Sequence, residues 1–355
     1  MTENAQNTAS QVNAIGLSRA DYRGVASTLC QGCGHNSIAN QIIAACYESN
    51  IRSENTMKFS GIGCSSKSLA YFLGHSFGFN GLHGRMPSIA QGAGFGDTSM
   101  RIIGVSGDGD TASIGFSQFK HLVRRNLPML YIVENNGVYG LTKGQFSATA
   151  ERGKTLKKQG TSRYLPVDIA MEALISNASF VARSFAGDPK QVKELIKAGL
   201  SHRGICVLDI ISPCVTYYNQ DESMHSYSWG KDHESPLHEV SYIPPREEIM
   251  VEDFEENTVR EIELHDGSMV VLKKLDRDYD PTNRWEAMHM LEEAHLNDWL
   301  VTGLIYVDPD QPSMYDLYKL VDKPLNRLTQ MELRPSRESL DSLNALMGPL
   351  QKRTG

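Results

Sequence analysis

Four short apolar segments between residues 100 and 211 constrain this chain more than any other feature. Residues 100–106 (MRIIGVS), 129–133 (MLYIV), 178–183 and 204–211 (GICVLDII) have the length and β-branched content of buried strands. Helix-compatible stretches separate them at 115–125 and 189–200. Alternating strands and helices call for an α/β fold with a largely parallel sheet flanked by helices. In such sheets the functional loops lie at the carboxyl ends of the strands. The chemistry is therefore expected just after Ser106, Val133 and Ile211.

The rest of the chain fits around that unit. Residues 37–46 (SIANQIIAAC) have helical spacing, 56–61 read as a short extended piece, and the small residues of 88–96 suit a helix packed closely on a sheet. Three regions follow: an N-terminal arm at 1–23, expected to be loose, a main domain at 24–215, and a C-terminal extension at 216–355 that packs on the domain or on a partner. Within the extension, 217–238 read as aromatic, polar loop. Residues 259–264 and 269–275 form an expected hairpin turning at Asp266-Gly267. A helix is expected near 284–298, followed by the apolar piece LVTGLIYV. Internal repeats and low-complexity tracts are absent.

Composition enters as a set of exclusions. A chain of 355 residues with a net charge of −7 lacks the basic face that nucleic acid requires. No run of about 18 apolar residues predicts a membrane span. The polar first two dozen residues lack the apolar core of a signal peptide. Six cysteines are too few for a disulfide scaffold in a chain this long. They read instead as thiols, metal ligands or cluster ligands in a cytoplasmic protein.

Two motifs point to a phosphorylated cofactor. Gly107-Asp108-Gly109-Asp110 follows one strand, and Asn135-Asn136 follows the next, with 28 residues from Asp108 to Asn136. Gly-Asp-Gly alone is ordinary turn chemistry. The pairing is what points to a site: glycines let the backbone approach a phosphate, and Asp108 with the Asn136 oxygen offers hard ligands to Mg²⁺. Magnesium held by so few protein groups implies phosphate oxygens as further ligands. Here the chain resembles the thiamine-diphosphate enzymes. The resemblance implies that Asp108, Asn136 and the carbonyl of Val138 hold Mg²⁺, and that Gly140, Leu141 and Thr142 line the diphosphate pocket.

Cys30-Gln31-Gly32-Cys33 places two thiols within reach of one metal centre, and Cys64 and Cys214 lie in glycine- and proline-containing loops. By spacing alone these four could hold structural zinc or a [4Fe–4S] cluster. Cys46 and Cys206 lie in apolar stretches and read as core residues. The set LCQGCGH, GIGCSSK, HGR, GDGD, NNGVYGLTKGQ and ISPC closely resembles the β subunits of 2-oxoacid:ferredoxin oxidoreductases, from Cys30 to Cys214. A weaker likeness continues through Asp280-Pro281-Thr282 and TGLIYVD, and the 2-oxoglutarate type is the nearer one.

That resemblance implies a thiamine-diphosphate-binding fold, with Cys30, Cys33, Cys64 and Cys214 holding one [4Fe–4S] cluster close to the cofactor. The implied reaction converts 2-oxoglutarate, coenzyme A and oxidised ferredoxin to succinyl-CoA, CO₂ and reduced ferredoxin. It also implies that a separate α subunit supplies the glutamate that activates the cofactor, giving an αβ or α2β2 assembly.

His35, Gly63, His83, Gly84 and Arg85 join the expected cofactor contacts, Arg85 as a cationic fork for phosphate or carboxylate. Lys67, Lys143 and His35 are the catalytic candidates; each lysine could attract the carboxylate of a 2-oxo acid. Lys154, Lys157 and Lys158 could guide an anionic partner, although a solvated loop explains them better. Histidines 225, 233 and 238 have no metal-binding spacing and no assigned role. Rival readings are a pyruvate or other 2-oxoacid oxidoreductase, a non-oxidative 2-oxoacid decarboxylase with structural zinc, and a non-catalytic redox-sensing or scaffold protein, against which the intact GDGD, NN and four cysteines argue.

Overall fold

A computed structural model describes residues 12–245, 259–274 and 279–348. In chain order it begins with α1 (Gly34–Glu48), β1 (Thr56–Ser60), α2 (Cys64–Ser68), β2 (Phe77–Asn80), α3 (Met86–Gly96), β3 (Arg101–Gly107), α4 (Phe116–Arg124) and β4 (Met129–Asn135). Two small hairpins follow, β5 (Val138–Tyr139) with β6 (Gln145–Phe146) and β7 (Thr155–Leu156) with β8 (Gly160–Thr161). Next come α5 (Ile169–Ile175), β9 (Phe180–Phe185), α6 (Pro189–Ser201), β10 (Ile205–Ile211), α7 (Tyr227–His233), β11 (Glu234–Pro236) and β12 (His238–Ile243). The chain then runs through β13 (Val259–Glu263), β14 (Met269–Lys274), α8 (Arg284–Leu296), β15 (Leu300–Val307), α9 (Met314–Leu317), α10 (Gln330–Leu333) and α11 (Arg337–Met347).

The main sheet has the order β11-β15-β9-β10-β4-β3-β1-β2. From β9 to β2 every pairing is parallel, and β15 alone runs antiparallel to its neighbour β9. Helices cover both faces, which explains the unbroken apolar runs of the central strands. Leu130 and Ile132 of β4 face the core beneath α1 and α6, while Met129, Tyr131 and Val133 face the core beneath α3, α4, α5 and α8. Strand β10 divides in the same way, with Cys206, Leu208 and Ile210 on one face and Ile205 and Val207 on the other. Each such aliphatic side chain contributes about 1.5–3 kcal/mol relative to exposure. Local signals set the helix starts: Asp188 accepts the Gln191 N–H ahead of Pro189 at the start of α6, and Asp168 caps α5 through the Met171 N–H.

Three expectations need correction. The arm is not loose from residue 12 onward. Tyr22 is fully buried in the core, and Asn13 donates to the Tyr22 hydroxyl and to the Tyr47 carbonyl, both at 2.9 Å. The C-terminal extension does more than pack on the domain: β11 and β15 complete the main sheet, with β15 buried along its whole length. Residues 217–238 are not mainly loop either. They include α7, β11 and the buried Tyr218, Ser223, His225 and Ser226. The hairpin formed by β13 and β14 is as expected, and β12 completes a small antiparallel sheet with it. Cys46 and Cys206 are fully buried core residues. Among the described residues no helix is long and apolar enough to cross a membrane.

Candidate functional site

The carboxyl ends of β1, β3 and β4 open onto one cleft, whose empty space, including open solvent, is about 470 Å³. Asp108 lies at its floor and is almost completely buried. Its Oδ1 accepts the Asn136 N–H at 3.2 Å, while Oδ2 accepts from the Ser147 hydroxyl and from Thr149 Oγ1, the latter at 2.7 Å. Among the described residues no lysine, arginine or histidine pairs with this carboxylate. Asn136 Oδ1 accepts the Val138 N–H at 3.1 Å, closing a tight turn. The 28-residue spacing therefore brings Asp108, Asn136 and Val138 together. An unpaired buried carboxylate beside amide and carbonyl oxygens fits a hard divalent cation that takes its remaining ligands from a phosphate. Among the described residues no three histidine, cysteine, aspartate or glutamate side chains converge on one ion. A magnesium ion here would thus have only one carboxylate ligand from the protein.

Asp110 braces the loops around the cleft. It accepts from His83 Nδ1, from the Gly84 N–H at 2.6 Å, from Ser106 Oγ at 2.6 Å and from the Ile62 N–H at 3.3 Å. Gly84 has φ +71, and a Cβ there would lie 2.5 Å from the Gly115 nitrogen, so only glycine allows this approach. Arg85 is exposed, donates to the Gly84 carbonyl, and does not line the cleft.

Of the four expected cluster cysteines, Cys64 lines the cleft and Cys214 lies close to it. A Cβ on Gly140 would lie 3.5 Å from Cys64 Sγ and 3.6 Å from Cys214 Sγ, so these sulfurs face each other across a glycine. Cys33 interacts electrostatically with both, and Cys64 also with Cys30. Thr216 donates to Cys30 Sγ at 3.5 Å. Burial pushes the Cys33 thiol up to about 12 and raises that of Cys64. These thiols hold their protons until a metal displaces them. Cys30, Cys33, Cys64 and Cys214 thus lie near one another, Cys64 at the start of α2, although no three of them form a ready-made metal site among the described residues.

A buried pair forms the inner wall. His35 Nδ1 lies 3.2 Å from Glu134 Oε2, both side chains are at most 1% exposed, and Ser68 Oγ donates to the carboxyl at 3.0 Å. The contact is off hydrogen-bond alignment, which leaves both ring nitrogens of His35 without a partner. Burial lowers His35 to about 4 and holds Glu134 well above the usual carboxyl range. A neutral imidazole thus faces the cleft beside a protonated acid.

Of the other expected residues, Gly63, Cys64, His83, Gly107, Gly109, Gly140, Leu141 and Thr142 line the cleft, the last two at its exposed mouth. Lys67 is half-buried at the end of α2 and Lys143 is exposed at φ +77; neither lines the cleft. Lys154 bonds the Glu222 carbonyl, while Lys157 and Lys158 are exposed. Glu134, Ser147 and Thr149 had no place in the sequence reading, and His225 was given no role there. For Glu134 a signal existed, an acidic residue closing an otherwise apolar strand just before Asn135-Asn136. The others meet the site only through the fold.

Comparisons with known proteins agree with this geometry. The family model for the C-terminal, thiamine-pyrophosphate-binding domain of thiamine pyrophosphate enzymes matches residues 61–210. A 2-oxoacid:ferredoxin oxidoreductase subunit beta from Sulfolobus sp is 39% identical over 53% of this chain and 62% of that protein. The 2-oxoglutarate oxidoreductase subunit KorB of Mycobacterium tuberculosis is 38% identical over 52% of this chain and 49% of its own length. The 2-oxoglutarate synthase subunit KorB of Methanocaldococcus jannaschii is 35% identical over 54% of this chain and 70% of its own. The match thus spans about half to two thirds of these relatives. A solved 2-oxoglutarate:ferredoxin oxidoreductase from Magnetococcus marinus, with 2-oxoglutarate, coenzyme A and succinyl-CoA bound, superposes with a TM-score of 0.72. It shares 26% identity and covers 92% of this chain and 96% of its own.

Proposed function

This chain belongs to the β-subunit family of the 2-oxoacid:ferredoxin oxidoreductases, and from that premise we propose that it decarboxylates 2-oxoglutarate oxidatively. Coenzyme A would be the acyl acceptor and ferredoxin the electron acceptor. The observation that carries the reading is the opening of the Asp108–Asn136–Val138 turn onto one cleft with Cys64, close to which Cys214 lies. Asp108, Asn136 and the Val138 carbonyl would hold Mg²⁺ and through it a diphosphate. Cys30, Cys33, Cys64 and Cys214 would hold a [4Fe–4S] cluster. Thiamine diphosphate supplies an electron sink for decarboxylation, and the cluster accepts electrons one at a time.

The chain's own residues prepare the cleft. Ser147, Thr149 and the Asn136 amide fix the Asp108 carboxylate, while Asp110 ties together the loops carrying Ile62 and His83-Gly84. The buried His35–Glu134 wall offers ring nitrogens without a hydrogen-bond partner. No lysine or arginine lines the cleft among the described residues. A 2-oxo acid dianion therefore needs cations from beyond it, which supports completion of the site by a separate α subunit. The relatives named for 2-oxoglutarate support that substrate. The broadly named Sulfolobus relative keeps other 2-oxo acids as the second reading. The oxidoreductase relatives disfavour a non-oxidative decarboxylase with zinc.

The test is anaerobic co-purification with the α subunit, then iron and sulfide analysis and a visible spectrum before and after adding substrate. Four irons per chain, with absorbance that bleaches only when 2-oxoglutarate and coenzyme A are both present, are the expected result. Bleaching by another 2-oxo acid instead overturns the substrate. Zinc in place of iron overturns the oxidoreductase.

A further inference from the structure

We infer that the segment from Ser212 to His225 couples the cysteine rim mechanically to the diphosphate turn, with His225 as the positioning residue for Asn135-Asn136. The inference rests on the function proposed above. Asn135 is gripped at both ends of the segment. Its backbone carbonyl accepts the Ser212 N–H at 2.7 Å, and its side-chain Oδ1 lies 3.1 Å from His225 Nε2. Cys214 sits between these two grips and is tied to Tyr218 by a backbone bridge.

The hydrogen-bond directions follow from the partners. Asn135 Nδ2 donates to Asp209 Oδ1 at 3.0 Å, so Oδ1 is the acceptor end. The single Thr149 hydrogen goes to the charged Asp108 Oδ2 at 2.7 Å, the shorter of its contacts, rather than to Asn135 at 3.0 Å. Asn135 Oδ1 then takes its hydrogen from His225 Nε2. The other ring nitrogen of His225, Nδ1, lies 3.4 Å from Glu151 Oε1, which accepts from Ser223 Oγ at 2.6 Å.

Packing completes the clamp. The Tyr218 and His225 rings lie 5.3 Å apart and 33° from parallel. Gly137, at φ +73, lies against both: a Cβ there would be 2.6 Å from Tyr218 Cε1 and 3.1 Å from His225 Nδ1. The residue that follows Asn136 thus rests on the segment that carries Cys214. Drawing Cys214 into a cluster shifts the support beneath Asn136, and loading the diphosphate turn restrains Cys214. Such coupling is reciprocal in binding free energy and typically amounts to roughly 5–150-fold in affinity.

The experiment uses the complete complex under anaerobic conditions. The affinity for thiamine diphosphate, with excess Mg²⁺, is measured by calorimetry on cluster-loaded and chelator-stripped protein. For the wild type, stripping weakens binding by about tenfold, within the range expected of coupled sites. His225→Gln, which keeps an N–H donor for Asn135, retains most of that ratio. In His225→Leu the ratio falls towards one while the loaded protein keeps its iron content. Should that variant fail to fold, Glu151→Gln loosens the ring from outside the site and lowers the ratio in the same direction. A wild-type ratio of one, or a leucine variant with the wild-type ratio, overturns the coupling and leaves the proposed function intact. Wild-type protein that binds neither iron nor thiamine diphosphate overturns both.

Discussion

His238, the first residue of β12, lies against the edge of the main sheet, and its Nε2 accepts the Leu304 N–H of β15 at 3.1 Å. The ring is buried, which lowers its proton affinity to about 4 from an unfolded value near 6.5. Protonation would turn the acceptor into a donor facing another donor, so the folded state resists it. A histidine depressed in this way contributes its full stability above pH 6.5 and loses it as the pH falls towards 4. Moving from pH 7.5 to 5.0 crosses about 1.5 units of that window, or about 2 kcal/mol at 1.36 kcal/mol per unit.

His238→Gln keeps an oxygen acceptor for Leu304 and removes the titration. In urea unfolding of the cofactor-free chain, the variant should lie within about 1 kcal/mol of the wild type at pH 7.5. On acidification to pH 5.0 it should lose about 2 kcal/mol less. His202, lowered by burial and by the neighbouring His265 to about 3, is present in both proteins and cancels in the comparison. His238→Ala, which orphans the Leu304 amide, should cost about 1–3 kcal/mol at both pH values. Equal acid sensitivity in wild type and the glutamine variant would refute the reasoning.

Two further predictions concern the site. Asp108→Ala removes the only carboxylate of the proposed metal turn, so calorimetry should find Mg²⁺-dependent thiamine diphosphate binding lost while cluster iron remains. Cys33→Ser should lower iron content, whereas Cys46→Ser should leave iron unchanged. The latter should instead cost about 1–3 kcal/mol in thermal unfolding, because a hydroxyl replaces a fully buried thiol.

How much of the site was legible depended on whether its residues lie close in sequence or recur at strand ends. Asp108 and Asn136 were legible because parallel strands place consecutive loops side by side, so motifs at two strand ends must meet. The four cysteines were legible as loop thiols set apart from the two in apolar stretches. Lys67, Arg85 and Lys143 stood in the right motifs, yet their side chains lie outside the cleft lining, because a motif fixes backbone position and leaves long side chains free to turn outward. Histidine 225 was passed over for want of metal spacing. Its partner Asn135 lies 90 residues away, joined to it only by the return of the chain after β10.

What the sequence determined by itself is the α/β architecture, the loops that meet at the cleft and the family. These follow from the period and length of apolar runs and from short motifs, which are local properties. The tertiary structure decided where the segments flanking the main domain go. Residues 12–23 are anchored to the core through Tyr22, and the supposed extension became the antiparallel end of the main sheet through β15. An apolar strand such as LVTGLIYV announces that it will be buried, but carries no local mark of which edge it joins or in which direction. The same holds for Glu134 and His35, a pair 99 residues apart in sequence that only the fold brings together and buries, which disfavours the charged form of each.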